Sequence, residues 1–309
     1  MVNKEVAEAS GLKGVLSYQD VLDRLEQADR RLALAAYVVE TLHPSAATIA
    51  DDILRFCAYR YPGVDLVAEY VLRASYLANL QKRFDAQPRV GNLGGHSAVI
   101  PRDRYNISLL LSTVLTNHRF EIMQELRGFL SRLDSGAGRV ASIGTGTGFE
   151  LGLMSSSLLR SVEIESYDID PTAKEEAQNY LRFFGIERPI VFGNEFPLDA
   201  ADPSFENAFN RLILCEVLEH LPDPARALAN VRAYLNESGH AFLTMAINIA
   251  QEDHIFLYAD IESCRRQVRN AGLEIVREWI APQTVTLPAA DRESGFSKGN
   301  YVADTVKVR

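Results

Sequence analysis

The sequence predicts an α/β protein in which a seven-stranded, mostly parallel sheet follows an α-helical N-terminal region. Two observations predict this fold. Up to about residue 133, apolar residues recur at three- and four-residue spacing, which is typical of amphipathic helices. From residue 138 onward, short apolar runs alternate with helical patterns, which is typical of βαβ units and a parallel sheet. We therefore divide the chain into a helical domain, residues 1–133, and a sheet domain, residues 134–309.

The helical domain is expected to contain several amphipathic helices and one irregular segment. A first helix covers residues 18–39, a second segment starts after Pro44, and a third helix covers residues 64–84. Residues 89–104 contain three glycines and a proline, which predicts a loop. A last helix or helix pair follows over residues 106–133. The apolar faces of these helices suit packing on the sheet and suit a homodimer equally well.

The sheet domain is expected to alternate strands and helices. Helices fall between successive strands, except that the last two strands follow each other with only a loop between them. One helix is expected over residues 172–184, with Pro171 in its first turn and Asp170 as its N-cap. The predicted strands cover residues 139–144, 162–168, 189–193, 210–215, 240–247, 273–280 and 300–308.

A glycine-rich turn follows the first of these strands. Gly144, Gly146 and Gly148 alternate with Thr145 and Thr147, and a helix can open directly after them. Glycine lets the backbone turn tightly and approach a ligand, and the amides of the following helix favour an anion. The glycine spacing departs from the dinucleotide fingerprint, and the absence of a following Lys-Ser or Lys-Thr excludes a phosphate-binding Walker loop. Taken alone, the pattern also suits a plain strand-to-helix turn.

An acidic residue follows the second predicted strand at a position that suits a sugar ligand. Asp168 lies 20 residues beyond Gly148, at the carboxyl end of that strand. In a doubly wound sheet this end faces the same crevice as the glycine turn. A carboxylate there can accept hydrogen bonds from both hydroxyls of a ribose.

The strand, glycine turn and helix resemble motif I of the class I S-adenosylmethionine (SAM)-dependent methyltransferases, and Asp168 is a separate match to that family. Residues 211–221, Arg-Leu-Ile-Leu-Cys-Glu-Val-Leu-Glu-His-Leu, resemble motif IV of that family and its trailing Glu-His signature. The resemblance covers residues 138–309. It implies a Rossmann-like fold with the final strand inserted antiparallel, SAM as the cofactor, and methyl transfer as the activity.

The resemblance also implies which residues bind SAM. Asp168 matches the residue that holds the ribose, and Ile169 matches the residue that packs on adenine. Asn194 stands where the family usually has an aspartate, and its amide oxygen can still accept a bond from the adenine amino group. Glu216, at a strand tip, is expected to face the substrate or the SAM amino group. The expected cofactor-binding residues are Gly144, Thr145, Gly146, Gly148, Asp168, Ile169, Asn194 and Glu216.

Residues 246–258 follow the fifth strand and are expected to overhang the crevice, where loops often carry function. Asp253, His254 and Tyr258 are the candidate catalytic residues in this segment. His254, aided by Asp253, is the candidate base for an oxygen or ammonium nucleophile. Alternatively, Asp253 and His254 only shape the loop through bonds to its backbone. A thioether nucleophile needs no base, and Asp253 would then hold a substrate ammonium or face the new cation.

Other polar residues near the motifs are expected to serve the structure first. Glu219 and His220 fit a cap and a packed side chain better than a catalytic role. Arg119, on the last helix before the glycine turn, is a further candidate for lining the pocket. The glycine-rich loop with His96 and Tyr105 is a candidate lid over SAM.

Composition narrows the class of protein and its partners. The 32 Lys and Arg residues against 41 Asp and Glu give a net charge of −9, and no basic run suits a nucleic acid. Without a signal peptide or a long apolar run, we expect a cytoplasmic protein that neither spans nor binds a membrane. Cys57, Cys215 and Cys264 are far apart, so we expect reduced thiols and no metal site.

The predicted activity is methyl transfer from SAM to a small polar metabolite, for example an amino acid such as methionine at its sulfur. O- or N-methylation in natural-product biosynthesis and a non-catalytic SAM-binding protein are the alternatives. A protein or RNA methyltransferase suits the acidic balance of the chain less well.

Overall fold

The structure is a computed structural model that describes residues 15–86, 91–92, 101–132, 138–283 and 298–308. Within these ranges, six helices and one two-residue strand precede the main sheet. They are α1 (Tyr18–Ala28), α2 (Arg30–Leu42), α3 (Ala46–Arg60), α4 (Leu66–Ala86), β1 (Gly91–Asn92), α5 (Arg102–Leu115) and α6 (Asn117–Ser131).

The remaining elements alternate strands and helices, as the sequence predicts. They are β2 (Gly138–Ile143), α7 (Phe149–Ser157), β3 (Val162–Tyr167), α8 (Ala173–Phe183), β4 (Ile190–Gly193), β5 (Phe209–Leu214), α9 (Pro224–Tyr234), β6 (Leu235–Ile247), β7 (Phe256–Leu257), α10 (Ile261–Asn270), β8 (Leu273–Pro282) and β9 (Gly299–Lys307). Short 3₁₀ turns lie at Pro203–Phe205 and Leu218–His220.

The main sheet has seven strands in the order β4-β3-β2-β5-β6-β9-β8. The five strands from β4 to β6 pair in parallel, whereas β9 runs antiparallel to both β6 and β8. The inserted antiparallel final strand is therefore confirmed, and the prediction of a mostly parallel sheet is confirmed only in part, because the sheet is mixed. The strand order reverses at β2, between β3 and β5, which is the position where open α/β sheets bind ligands.

The first predicted helix is wrong in one respect, because residues 18–39 form two helices. Asp29 has extended backbone, with φ −154°, and separates α1 from α2. Its carboxylate accepts a hydrogen bond from the Arg31 N–H at 3.0 Å and so caps α2.

The predicted loop over residues 89–104 ends too late, since α5 already begins at Arg102. Pro101, with φ −54°, precedes it and suits the start of a helix. The residues around His96 lie outside the described ranges. The helix pair predicted after this loop is confirmed as α5 and α6, which are separated by the extended Thr116.

Two connections in the sheet domain also differ from the prediction. Only a 3₁₀ turn, without an α-helix, lies between β4 and β5 in the described structure. Thr172, and not Asp170, occupies the N-cap position of α8. The Asp170 carboxylate instead accepts hydrogen bonds from the amide and hydroxyl of Thr172, at 2.8 and 2.7 Å, and orders the turn before the helix.

The sheet separates two apolar clusters, because successive side chains of a strand point to opposite faces. Val140, Ile164 and Phe242 share one cluster with α1, α3, α5 and α6. Leu212 and Leu243, from the alternate positions, share the other cluster with α9 and α10. The helical domain therefore covers one face of the sheet and shares its core.

Each described helix is too short or too polar to cross a membrane. The three cysteines are free thiols: Cys57 and Cys264 are buried, and Cys215, just beyond β5, is half-buried.

Candidate active site

The glycine turn joins β2 to α7 at the switch point of the sheet. Gly144, Gly146 and Gly148 have φ values of +82°, +51° and +83°, which glycine adopts at little cost. A Cβ on Gly148 would lie 2.5 Å from the Cα of Ala177, so this glycine lets the start of α7 pack against α8. A Cβ on Gly146 would meet no described atom within 4 Å. The centre of the turn is therefore open to a ligand.

The carboxylate of Asp168 is fixed against this turn. Its Oδ2 accepts a hydrogen bond from the Gly146 N–H at 2.9 Å, and its Oδ1 accepts one from the Asp170 N–H at 2.8 Å. Thr145 is buried, and its hydroxyl lies 2.6 Å from the hydroxyl of Ser166 on β3. The structure therefore brings the predicted ribose-binding carboxylate and the predicted cofactor turn into direct contact.

Ile169 and Asn194 lie beside Asp168, at the ends of β3 and β4. The Asp168 N–H donates to the Gly193 carbonyl at 3.3 Å, which holds the two strand ends together. The Ile169 side chain is 86% exposed, although it is large and apolar, and Asn194 is exposed. An apolar surface for a base, with a carboxylate and an amide next to it, fits the adenosyl part of SAM.

Glu216 follows β5 and lies at the centre of a polar network. Its Oε1 accepts hydrogen bonds from the Thr244 hydroxyl at 2.8 Å and from the Asn300 amide at 2.6 Å. Its Oε2 forms an ion pair with Arg119 on α6 at 3.2 Å. Burial opposes ionisation of Glu216, but Arg119 and the Thr244 hydrogen bond outweigh it and lower the pKa of the carboxyl. Its φ of +55° is an unusual backbone conformation for a glutamate.

Two partners of Glu216, Thr244 and Asn300, were not identified by sequence reasoning. Thr244 is 28 positions away on β6, and Asn300 is 84 positions away on β9. No local motif connects such positions. Arg119, a candidate for lining the pocket, does reach this site.

The segment after β6 is fastened to the helical domain. Gln81 on α4 donates to the Asn248 carbonyl and accepts from the Ala250 N–H, both at 2.9 Å. Arg73 on the same helix forms a buried ion pair with Glu252. In addition, β1, which precedes α5 in the chain, pairs antiparallel with β7 at the end of this segment. The helical domain therefore sets the position of the predicted substrate segment.

His254 is buried in this segment, and its Nδ1 lies 2.9 Å from the carbonyl of Ile249. Burial, together with the neighbouring His220, lowers the pKa of His254 to about 4. The ring is therefore neutral at physiological pH. Because a carbonyl can only accept, Nδ1 carries the proton and Nε2 carries the lone pair.

Asp253 contacts groups other than His254. Its Oδ2 accepts from the Tyr105 hydroxyl at 3.4 Å and lies 3.7 Å from Nδ1 of His220. Among the described residues, the Asp253 carboxylate forms no hydrogen bond with His254. The predicted support of His254 by Asp253 therefore acts through charge, which raises the pKa of His254 less than burial lowers it.

Tyr258 is held in the core. Its hydroxyl donates to the Gln267 Oε1 at 2.5 Å, its ring packs edge to face with Phe256, and it belongs to the same apolar cluster as Ile261 and Cys264. Burial raises the pKa of its hydroxyl well above the ordinary value. A catalytic role for Tyr258 requires the hydroxyl to leave Gln267.

The sequence suggests a capping role for Glu219 and a packing role for His220, and the His220 ring does pack edge to face against His254. Glu219 is completely buried, and neither carboxylate oxygen has a hydrogen-bond partner among the described residues. His220 is partly exposed, and its Nδ1 lies 2.9 Å from the Asp253 carbonyl. The burial of the Glu219 carboxylate without a partner therefore needs another explanation.

Comparison with known proteins places the chain among methyltransferases. Residues 115–278 match a family model described as a methyltransferase domain. In a search of curated proteins, none matches the chain.

Similar solved structures include a cyclase and two methyltransferases. The cyclase SpnF is 14% identical over 78% of this chain and 96% of its own, with a TM-score of 0.48. The mitomycin 7-O-methyltransferase MmcR is 12% identical over 86% of this chain and 74% of its own, with a TM-score of 0.48. A SAM-dependent methyltransferase from Aquifex aeolicus is 12% identical over 61% of this chain and 89% of its own, with a TM-score of 0.44. At these identities and TM-scores the likenesses assign no substrate.

A glycine turn with the Asp168 carboxylate beside it lies at the switch point of this Rossmann-like sheet, where such sheets bind ligands. The matched family model runs from the end of α5 into β8 and covers more than half of the chain. The chain therefore belongs to the methyltransferase-domain family; it is a SAM-dependent methyltransferase, and SAM is its cofactor.

Proposed function

We propose that the enzyme methylates a small polar metabolite, such as an amino acid, bound between the cofactor crevice and residues 248–258. The observation that carries this proposal is the polar group buried beyond the ends of β5 and β6. Arg119, Glu216 and His254 interact electrostatically there, with side chains largely withdrawn from solvent. Fixed charges of both signs in a buried site suit a compact polar acceptor better than a polymer.

The chain's own residues divide the site into a cofactor side and an acceptor side. On the cofactor side, Asp168 would hold the ribose, and Glu216 would face the SAM amino group or, through Arg119, the acceptor. When bound, SAM supplies an electrophilic methyl group. The protein itself aligns the acceptor atom with this methyl group and excludes water, and such alignment can supply much of the rate of methyl transfer. The remaining proposed contacts to SAM come from Gly144, Thr145, Gly146, Gly148, Ile169 and Asn194.

His254 supports an acceptor that must lose a proton, such as a hydroxyl or an ammonium. Its neutral ring can take that proton at Nε2, while Nδ1 stays bonded to the Ile249 carbonyl. Asp253 and Tyr105 would position the polar part of the acceptor beside it. Tyr258 is the third proposed catalytic residue, subject to release of its hydroxyl from Gln267.

A thioether acceptor, as in methionine, is the second candidate. One observation favours it: Oδ1 of Asp253 is buried and has no hydrogen-bond partner among the described residues. A free carboxylate oxygen suits a substrate ammonium or the cation that forms on sulfur. A thioether needs no proton acceptor.

We also propose that residues 1–133 form a cap that completes the acceptor side, while residues 134–309 bind SAM. The contacts of Gln81 and Arg73 with residues 248–252 support this division of labour.

Turnover of SAM with metabolite fractions tests the proposal. The expected result is S-adenosylhomocysteine that forms only when protein, SAM and a small-molecule fraction are all present, and mass spectrometry identifies the methylated product. A hydroxyl or amine acceptor predicts that His254→Asn lowers kcat by about 10²–10⁴-fold, whereas a thioether acceptor predicts little change. SAM binding without turnover on any fraction would show a non-catalytic SAM-binding protein.

A further inference from the structure

Glu219, His220 and His254 form a cluster that methyl transfer alone does not explain. The two histidine rings meet edge to face, with centroids 5.1 Å apart and planes at 78°. One carboxylate oxygen of Glu219 and one nitrogen of each ring all lie within 4.8 Å of one another. The Ile255 N–H donates to the Glu219 carbonyl at 2.9 Å and ties the two chain segments together. The backbone therefore holds the cluster in place.

Both histidines have the hydrogen-bonding pattern of metal ligands. Nδ1 of His220 lies 2.9 Å from the Asp253 carbonyl, and Nδ1 of His254 lies 2.9 Å from the Ile249 carbonyl. Each Nδ1 must therefore donate, which leaves the lone pair of each neutral ring on Nε2. A backbone carbonyl on the far nitrogen is the usual way in which proteins orient a metal-binding imidazole.

Glu219 supplies an independent observation. It is fully buried, and both of its carboxylate oxygens lack a hydrogen-bond partner among the described residues. A buried carboxyl without partners is costly and needs a compensating group. A bound cation would give both carboxylate oxygens a partner.

We propose that Glu219, His220 and His254 bind a divalent first-row transition-metal ion. With ligand distances of about 2.0–2.2 Å, a tetrahedral ion holds its ligand atoms roughly 3.3–3.6 Å apart, so side-chain rotation must draw the three atoms closer than their present spacing of up to 4.8 Å. Two imidazoles and one carboxylate favour Zn²⁺, Fe²⁺ or Co²⁺ over Mg²⁺ and Ca²⁺, which prefer oxygen ligands alone. Three protein ligands leave at least one coordination position open, as in catalytic sites.

The chemical role of this ion rests on the proposed function, whereas the site itself stands on the geometry. The cluster includes His254, the proposed proton acceptor, and lies next to Glu216. With Nε2 of His254 bound to the ion, that nitrogen no longer accepts a proton. The ion would instead orient the acceptor oxygen at its open position and lower its pKa, and the proton that the oxygen loses would pass to solvent water.

Titration of the metal-stripped, full-length protein with Co²⁺ tests the site. We expect one Co²⁺ per chain, visible d–d absorption typical of nitrogen and oxygen ligands, and displacement by Zn²⁺ but not by Mg²⁺. Glu219→Gln and His254→Asn should each weaken Co²⁺ binding at least about tenfold. His43→Asn, which changes a histidine outside the cluster, is the matched control and should leave Co²⁺ affinity unchanged. SAM affinity, measured by calorimetry on each variant, checks that the variant is folded.

Three outcomes overturn the inference. They are no Co²⁺ binding by the wild-type protein, Co²⁺ affinity unchanged in Glu219→Gln, or an equal loss of affinity in His43→Asn. Separate readouts distinguish this inference from the proposed function. Asp168→Ala should lose SAM affinity and keep Co²⁺, and methylation that continues at full rate with a chelator would remove the ion's catalytic role while leaving the methyltransferase. Co²⁺ binding without turnover on any acceptor would support the site and contradict the proposed function.

Discussion

Two glycines of the cofactor turn, two positions apart, should respond in opposite ways to the same change. Both have left-handed backbone, so Gly146→Ala and Gly148→Ala each place a methyl group where a side chain costs about 1–2 kcal/mol. Reduced freedom of the unfolded chain offsets about 0.4–1 kcal/mol of this cost. The local surroundings then decide the difference between the two variants.

At Gly148 the new Cβ would lie 2.5 Å from the Cα of Ala177, which is backbone and cannot rotate away. Overpacking of this kind costs about 1–3 kcal/mol more. Gly148→Ala should therefore lower the free energy of unfolding by roughly 2–4 kcal/mol in total, and Gly146→Ala by only about 1 kcal/mol. Urea denaturation followed by circular dichroism measures both values.

SAM affinity should show the reverse order. A methyl group on Gly146 fills the open space that the cofactor needs, so we expect a loss of about tenfold or more, or 1.4 kcal/mol. Folded Gly148→Ala should bind SAM nearly as well as the wild type. Calorimetry at a temperature where both variants are folded makes the comparison. Equal losses of stability, or wild-type SAM affinity in Gly146→Ala, would refute the reasoning.

Three further predictions concern the cofactor acid, the cap and the pH dependence. Asp168→Ala should weaken SAM binding by about 1–3 kcal/mol. Asp170→Ala is the control and should leave SAM binding unchanged, because the Asp170 carboxylate bonds Thr172 and pairs with Arg102. Equal losses of SAM affinity in calorimetry would contradict the ribose assignment. Gln81→Ala should raise the acceptor KM and leave SAM affinity unchanged, because two of its three hydrogen bonds go to the segment after β6 and the third goes to Asp85 on its own helix. Steady-state kinetics and calorimetry separate the two effects. Burial lowers the pKa of His118 from 6.5 to about 4, so the stability that its neutral form contributes is complete above pH 6.5 and is lost as pH falls towards 4. Between pH 6.5 and 4, the free energy of unfolding of His118→Asn should therefore fall less than that of the wild type, by up to roughly 3 kcal/mol. If the two proteins lose stability in parallel as the pH falls, this role of His118 is ruled out.

Much of the fold follows from local sequence patterns. Every predicted strand of the main sheet is present, since buried strands of apolar residues bounded by turns are recognisable in isolation. The break at Asp29 was missed because the apolar spacing continues through it, while a single capping carboxylate ends one helix and opens the next. The sequence between β4 and β5 contains no feature that argues against the helix we expected there, so its absence from the described structure was missed.

In the candidate site, too, contacts between residues close in sequence were predictable and contacts between distant residues were not. The glycine turn and Asp168 are close in sequence and meet as predicted. The network around Glu216 is assembled from α6, β6 and β9, so no spacing rule could reveal it. Asp253 and His254 are adjacent in sequence, but the backbone turns the Asp253 carboxylate towards His220 and Tyr105, so its effect on His254 acts through charge.

The bonds between α4 and the segment after β6 join positions 167 to 179 residues apart. The proposed cofactor side is built mainly from neighbouring βα units, whereas the proposed acceptor side closes only when distant parts of the chain meet. If that division holds, substitutions along α4 alter acceptor preference over evolutionary time while the proposed nucleoside-binding residues remain the same.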